Sequence, residues 1–248
     1  MAEDVRHFQG RDGTKLAYRE TGQGRTLILI HGFTGTGRVS WIGTGFADRL
    51  ADRGYRVVMP DLRGHGDSPR PHDRAAYPPE VLADDVLALT GLLGLGQDGY
   101  DLGGYSLGGK VVLRMLVRGA RPGRAFIGGQ GLDALDAASS RTGGYRAMLA
   151  DLASGAPLEP RQAAWMAEAG VDPVALLGVL DSFTDVTPAE LARIAVPTLV
   201  VAGQQDERQA AELAAALPGA RYVPVPGDHG TAPLQPEFAA AILDFLAP

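Results

Sequence analysis

The chain has 248 residues, 45% of them apolar, and a formal net charge of −6. That is enough for one α/β domain, with or without an insert. The mildly acidic balance, with acids and bases mixed along the chain, argues against nucleic acid or an anionic membrane surface as the main partner. Without cysteine there is neither a thiol nucleophile nor a Cys-ligated metal, and no apolar run approaches the roughly 20 residues of a membrane span.

Met1 to Gly10 is polar and charged and has no apolar signal segment, so a soluble, cytoplasmic protein is expected. Residues 5–10 and 14–20 read as two short strands around the turn signal Asp12-Gly13. The run Thr26 to Ile30 is continuously apolar after its threonine, the mark of a strand buried on both faces. His31-Gly32-Phe33-Thr34-Gly35 follows it. A helix is predicted over 41–53, then a buried strand over 55–59 ending at Pro60-Asp61, then the polar loop Arg63-Gly64-His65-Gly66-Asp67-Ser68. The stripe Val81, Leu82, Val86, Leu89, Leu93 predicts a helix over 79–93. A strand-like piece over 99–103 leads to Ser106 and an apolar helical pattern over 107–117, and 124–127 reads as a further strand.

From 131 to 193 only helical signals appear. Asp172-Pro173 and Thr187-Pro188 look like N-caps followed by proline at the first helical position, and Thr187-Pro188-Ala189-Glu190 fits a capping box. The strand–helix alternation resumes with a strand over 196–202, a helix over 208–217, a strand over 220–225 and a last helix over 236–246. Eight strands alternating with helices imply an α/β fold with a mostly parallel sheet covered on both faces. The reading is a core of 1–130 and 194–248, interrupted by a helical cap over 131–193.

Sites in such sheets lie beyond the carboxyl ends of the strands. Gly104-x-Ser106-x-Gly108 sits there as a nucleophile elbow, a strand-to-helix turn that holds the serine strained and leaves no room for side chains two residues either side. Two phosphate-binding look-alikes fail. Gly94 to Gly99 matches G-x-G-x-x-G but precedes a strand instead of following one, and Gly104 to Lys110 resembles a P-loop but has Val111 where Ser or Thr would hold magnesium.

Five pieces in order resemble the α/β-hydrolase family over nearly the whole chain. They are His31-Gly32-Phe33, Asp61 to Ser68, Gly104 to Gly109, Gly203-Gln204-Gln205-Asp206 and Gly227-Asp228-His229. The resemblance implies Ser106 as nucleophile, His229 as general base and acid, and Asp206 as the acid that orients the imidazole. Asp133, just past the 124–127 strand, is a rival for that last role. The backbone N–H groups of Phe33 and Leu107 would hold an oxyanion. His31 is expected to be structural, and His65 and Asp67 to organise their own loop.

The five histidines are scattered and show no H-E-x-x-H, so neither metal nor cofactor is expected. Tyr105, Met148, Trp165, Met166 and Phe183 are candidate pocket residues. The implied function is a serine hydrolase acting on a small or medium carboxylic ester or lactone, with no nucleic-acid or membrane partner. The same scaffold hosts carbon–carbon bond hydrolases and cofactor-free perhydrolases or haloperoxidases with a similar triad, and a non-catalytic receptor is a further alternative. Epoxide- and haloalkane-type relatives use aspartate at the elbow, so the serine argues against both.

Overall fold

In the computed structural model, eight strands form one sheet in the order β1-β2-β4-β3-β5-β6-β7-β8. The residues described are 4–155 and 170–247, without the side chains of 133, 134, 140, 141 and 206–208. The strands are β1 (Arg6–Gln9), β2 (Lys15–Gly22), β3 (Arg25–Ile30), β4 (Tyr55–Pro60), β5 (Tyr100–Tyr105), β6 (Arg124–Gly128), β7 (Thr198–Gly203) and β8 (Arg221–Val225). β1 and β2 pair antiparallel around a turn closed by Gly10 N–H to Thr14 O at 2.8 Å, with Gly13 at φ 84°. β2 is antiparallel to β4, and every other neighbouring pair is parallel. The apolar runs behave as their composition requires. All six residues of β5 and of β7 are buried, and five of six in β3.

The helices are α1 (Phe46–Ala51), α2 (Val81–Leu92), α3 (Leu107–Val117), α4 (Ser140–Ala153), α5 (Pro173–Asp181), α6 (Pro188–Leu191), α7 (Glu207–Ala216) and α8 (Pro236–Phe245). One face of the sheet packs against α2, α3 and α7, and residues of α4, α5 and α6 join the same apolar cluster. The other face packs against α1 and α8, with Phe46, Leu50, Phe238 and Ile242 at its centre. Both caps expected from sequence form. The Asp172 carboxylate accepts from the N–H of Val174 and Ala175, and Thr187 with Glu190 makes the full capping box.

The helix expected over 41–53 is interrupted. A π-helical turn, Arg38–Ile42, comes first, and α1 begins only at Phe46. Gly43-Thr44-Gly45 separates them, with Gly45 at φ 69°, a conformation that ends one helix and re-aims the next.

This topology sets the site. From β3 the chain moves to β4 on one side, then crosses back to β5 on the other. The carboxyl ends of β3 and β5 therefore flank the point where the winding reverses, the place where open α/β sheets leave a crevice.

Candidate active site

Ser106 sits between β5 and α3 at φ 55°, ψ −116°, a strained conformation for a non-glycine residue. The surroundings hold it there. Its N–H donates to Gly128 O at 2.8 Å, Lys110 N–H donates to Ser106 O at 3.1 Å, and the Gln130 amide also donates to Ser106 O. The flanking glycines are required for space. A Cβ on Gly104 would collide with the Gly108 backbone, one on Gly108 with the carbonyl of Ile30, and one on Gly103 with the ring of Phe126.

The elbow brings Ser106 to a histidine 123 positions away. His229 Nε2 lies 2.9 Å from Ser106 Oγ. His229 follows β8 in a turn fixed by Asp228, whose Oδ1 accepts from Gly230 N–H at 3.0 Å and Thr231 N–H at 2.9 Å. Tyr105, the residue before the nucleophile, donates its hydroxyl to His229 O at 2.6 Å. Its ring packs on the imidazole at 5.4 Å and edge-on to Phe238 at 5.5 Å. Gly128 and Gly129 press against that ring, so neither could carry a Cβ without moving it.

Asp206 ends the short turn Gln204–Asp206 directly after β7. β7 and β8 are parallel neighbours with Gly203 opposite Val225, and a Cβ on Gly203 would meet Gly227 O at 2.5 Å. The backbone turns that carry Asp206 and His229 therefore leave the sheet side by side. Asp133 lies in the turn Leu132–Leu135 after β6. The side chains of both aspartates are outside the described residues, so the choice between them stays open. Trp165 and Met166 are outside the described residues altogether.

Phe33 and Leu107 both border the site, and neither N–H has an acceptor among the described residues. The Phe33 loop is clamped from behind by two buried histidines with ring centroids 4.9 Å apart. His31 donates Nδ1–H to Gly32 O at 2.8 Å and accepts Leu62 N–H on Nε2 at 3.0 Å, as a structural histidine should. His65 Nε2 lies 2.7 Å from Phe33 O, and its Nδ1 lies 3.1 Å from Arg63 O. A neutral ring donates once, and the shorter contact takes the proton. His65 was expected to serve its own loop; it also reaches across to the neighbouring one. Asp61 joins the two loops as well, accepting from Gly37 N–H at 2.8 Å and Asp67 N–H at 2.9 Å.

Burial holds both rings neutral. It lowers the pKa of His31 and pushes that of His65 down to about 3, helped there by neighbouring His31. The sign for stability follows. Above pH 6.5 the rings are neutral both folded and unfolded. Below it the unfolded chain takes up protons that the folded chain refuses, so stability falls by about 1.4 kcal/mol per pH unit for each ring. Burial pushes Asp85 up to about 6, so from there down to about 3.8 the folded chain holds an extra proton that offsets one ring. The melting temperature is expected to fall from pH 7 to pH 5 by circular dichroism. It falls less steeply in His65→Gln, which keeps a donor but cannot be protonated.

Two cavities meet at Ser106. The larger, about 400 Å3, is lined by His229, Tyr105, Trp41, Val39, Pro233 and Leu234 among others. The smaller, about 50 Å3, is lined by Leu107, Lys110, Gln130, Thr142, Leu180 and Phe183 among others. Ser106, Phe33 and Tyr145 border both. Of the expected pocket residues, Tyr105 and Phe183 thus line cavities. Met148, one helical turn on from Tyr145, is half-buried and packs against the same core cluster. Gln130 was not singled out for the site from sequence. Gln130 could have been found by its place, two residues past the carboxyl end of β6. Among the described residues no group of three or more His, Asp or Glu could hold a metal ion, and no helix is long and apolar enough to cross a membrane.

Comparison with known proteins agrees with this architecture. Residues 25–124, which include the Phe33 loop and the elbow, match the family described as the alpha/beta hydrolase fold. A crystal structure of a hydrolase from Pseudomonas aeruginosa PA01 is 26% identical with TM-score 0.76, over the whole of both chains. The enol-lactonase from Burkholderia xenovorans LB400 superimposes with TM-score 0.74 at 24% identity, over 97% of this chain and 99% of that one. Curated relatives match over shorter stretches. The bifunctional epoxide hydrolase 2 of Sus scrofa is 35% identical over 98 residues, 38% of this chain and 17% of its own length. The non-heme chloroperoxidase CPO-A1 of Kitasatospora aureofaciens is 34% identical over 111 residues, 44% of this chain and 37% of its own. The match thus spans well under half the length of either curated relative. The sheet order, the strained serine at the β5–α3 turn and the matched segment give the chain the α/β-hydrolase fold.

Proposed function

We propose that the protein is a cofactor-independent serine hydrolase acting on carboxylic esters or lactones. The observation that carries this reading is the 2.9 Å contact between Ser106 Oγ and His229 Nε2, made by a serine held at φ 55°. A serine hydroxyl is a poor nucleophile at neutral pH and needs a base within hydrogen-bond reach. Here Oγ attacks the carbonyl carbon while its proton passes to His229 Nε2. The new oxyanion takes the N–H groups of Phe33 and Leu107, and losing one such donor typically costs about 3–4 kcal/mol of transition-state stabilisation. The carbon–oxygen bond to the alcohol then breaks, and the leaving oxygen takes the proton from His229. Water, deprotonated by the same imidazole, releases the acid from the acyl-enzyme. Epoxide-opening chemistry, suggested by the epoxide hydrolases among the relatives, is disfavoured because the elbow carries a serine where an aspartate is needed.

A fluorophosphonate probe is expected to label Ser106, with turnover of 4-nitrophenyl acetate in the same preparation. No labelling of folded protein would remove this reading.

We infer further that Asp206 orients His229, because its turn leaves the sheet beside the histidine loop. Asp206→Asn should lower kcat by about 10^4-fold through loss of the correct tautomer. Asp133→Asn should cost less than about tenfold, and the reverse ranking in steady-state kinetics would transfer the role to Asp133.

A further inference from the structure

The two cavities at Ser106 differ in volume, in lining and in access to His229. We propose that they divide an ester between them. The small cavity takes a short acyl group, and the large one takes a bulkier apolar alcohol. This assignment rests on the acyl-enzyme reading above.

The histidine decides which side is which. His229 must reach the leaving oxygen to protonate it, so the alcohol departs on its side. His229 lines the large cavity and is absent from the lining of the small one. Ser106 and Phe33 border both, so a carbonyl carbon on Oγ has its oxyanion donor available whichever way its substituents lie. The acyl chain is left with the space beside Leu107, Gln130 and Phe183.

That space is short. One water-sized group needs roughly 10–15 Å3 of such volume, so about 50 Å3 admits roughly four non-hydrogen atoms. Phe183 forms part of its wall. Phe183, Leu107 and Lys110 also line a second cavity of about 20 Å3, which places them in the partition between the two. The partition is held in place. The Lys110 ammonium stands 4.5 Å over the Phe183 ring. On either side of Phe183, Ser182 O accepts Glu80 N–H at 3.0 Å and Thr184 Oγ1 donates to Glu80 at 2.6 Å.

The alcohol side is the opposite. Its cavity is about eight times larger, and its mouth carries Val39, 52% exposed, and Leu234, 66% exposed. These are two of only four large apolar side chains exposed among the described residues. Singly exposed apolar residues mean little, but two at the rim of one cavity beside Pro233 and buried Trp41 make an apolar entrance.

Two ester series test this, run alongside fluorophosphonate labelling of Ser106. With 4-nitrophenyl as the fixed alcohol, kcat/KM should fall at least about tenfold from butyrate to octanoate. With acetate as the fixed acid, it should rise at least about tenfold from methyl to hexyl. Phe183→Ala joins the small cavity to the one behind it and should raise the octanoate-to-butyrate ratio at least about fivefold. Leu234→Ser, at an exposed position, should flatten the alcohol series and leave the acyl ratio alone. Preference for octanoate over butyrate, or Phe183→Ala acting on the alcohol series instead, would overturn the assignment while leaving the hydrolase reading intact. Labelling of Ser106 with no turnover of any ester would overturn both.

Discussion

Ser106→Ala is expected to lower kcat on 4-nitrophenyl acetate by about 10^4- to 10^6-fold while leaving the protein folded. The size follows from how the groups work together. In the proposed mechanism, without Oγ there would be no acyl-enzyme and His229 would have no hydroxyl to deprotonate, so removing one member should cost nearly as much as removing the set. On that reading, the activity that remains would come from binding and from the N–H groups of Phe33 and Leu107 acting on attack by water. Stability should hardly change. The strained φ of 55° is imposed by the β5–α3 turn, and alanine there bears about the same strain as serine. The one side-chain hydrogen bond lost, to His229, contributes about 1 kcal/mol net. Steady-state kinetics and a thermal melt check both halves. A variant retaining a tenth of wild-type activity would show that the chemistry does not pass through this hydroxyl.

Gly108→Ala is expected to do the opposite and damage the fold first. Two effects compete at this helical glycine. Alanine gains up to about 1 kcal/mol of helix propensity over glycine. Against that, its Cβ would sit well inside contact distance of Ile30 O and close to His31 O. The Ile30 carbonyl ends β3, whose strand pairs with β5 from Thr26–Tyr100 to Ile30–Gly104, so it cannot retreat without pulling the sheet apart. Overpacking against backbone wins, and we expect a net loss of about 3 kcal/mol or more. Denaturant unfolding should show a lowered midpoint. Any folded fraction should react slowly with the fluorophosphonate, because displacing α3 moves Oγ away from His229 and Leu107 N–H away from the oxyanion. An unchanged midpoint would mean that the close approach of α3 to β3 is not a constraint on the fold.

The fold was legible in the sequence because its signals are local. Continuous apolar runs such as Leu27 to Ile30 mark strands buried on both faces, and Asp172-Pro173 and Thr187-Pro188 mark helix starts. The elbow was legible because steric crowding allows little but glycine on either side of Ser106. Sequence misread the stretch from Trp41 to Arg53 because periodicity is blind to the left-handed turn at Gly45. The contacts of Gln130 with Ser106 and of His65 with Phe33 could not be read from sequence, because each joins segments with no common local pattern.

By itself the sequence determined the strand–helix order and the strained serine, because these follow from chain-local sterics and hydrophobic patterning; the role of His229 came from the resemblance to a known family. Only the tertiary structure decided the rest. It set His229 Nε2 against Ser106 Oγ across 123 positions, hung the Phe33 loop from His65, and left a short space on one side of the nucleophile and a wide apolar mouth on the other. Those features depend on where β3, β5 and β8 end relative to one another, which is fixed by sheet register and packing and by no single stretch of chain.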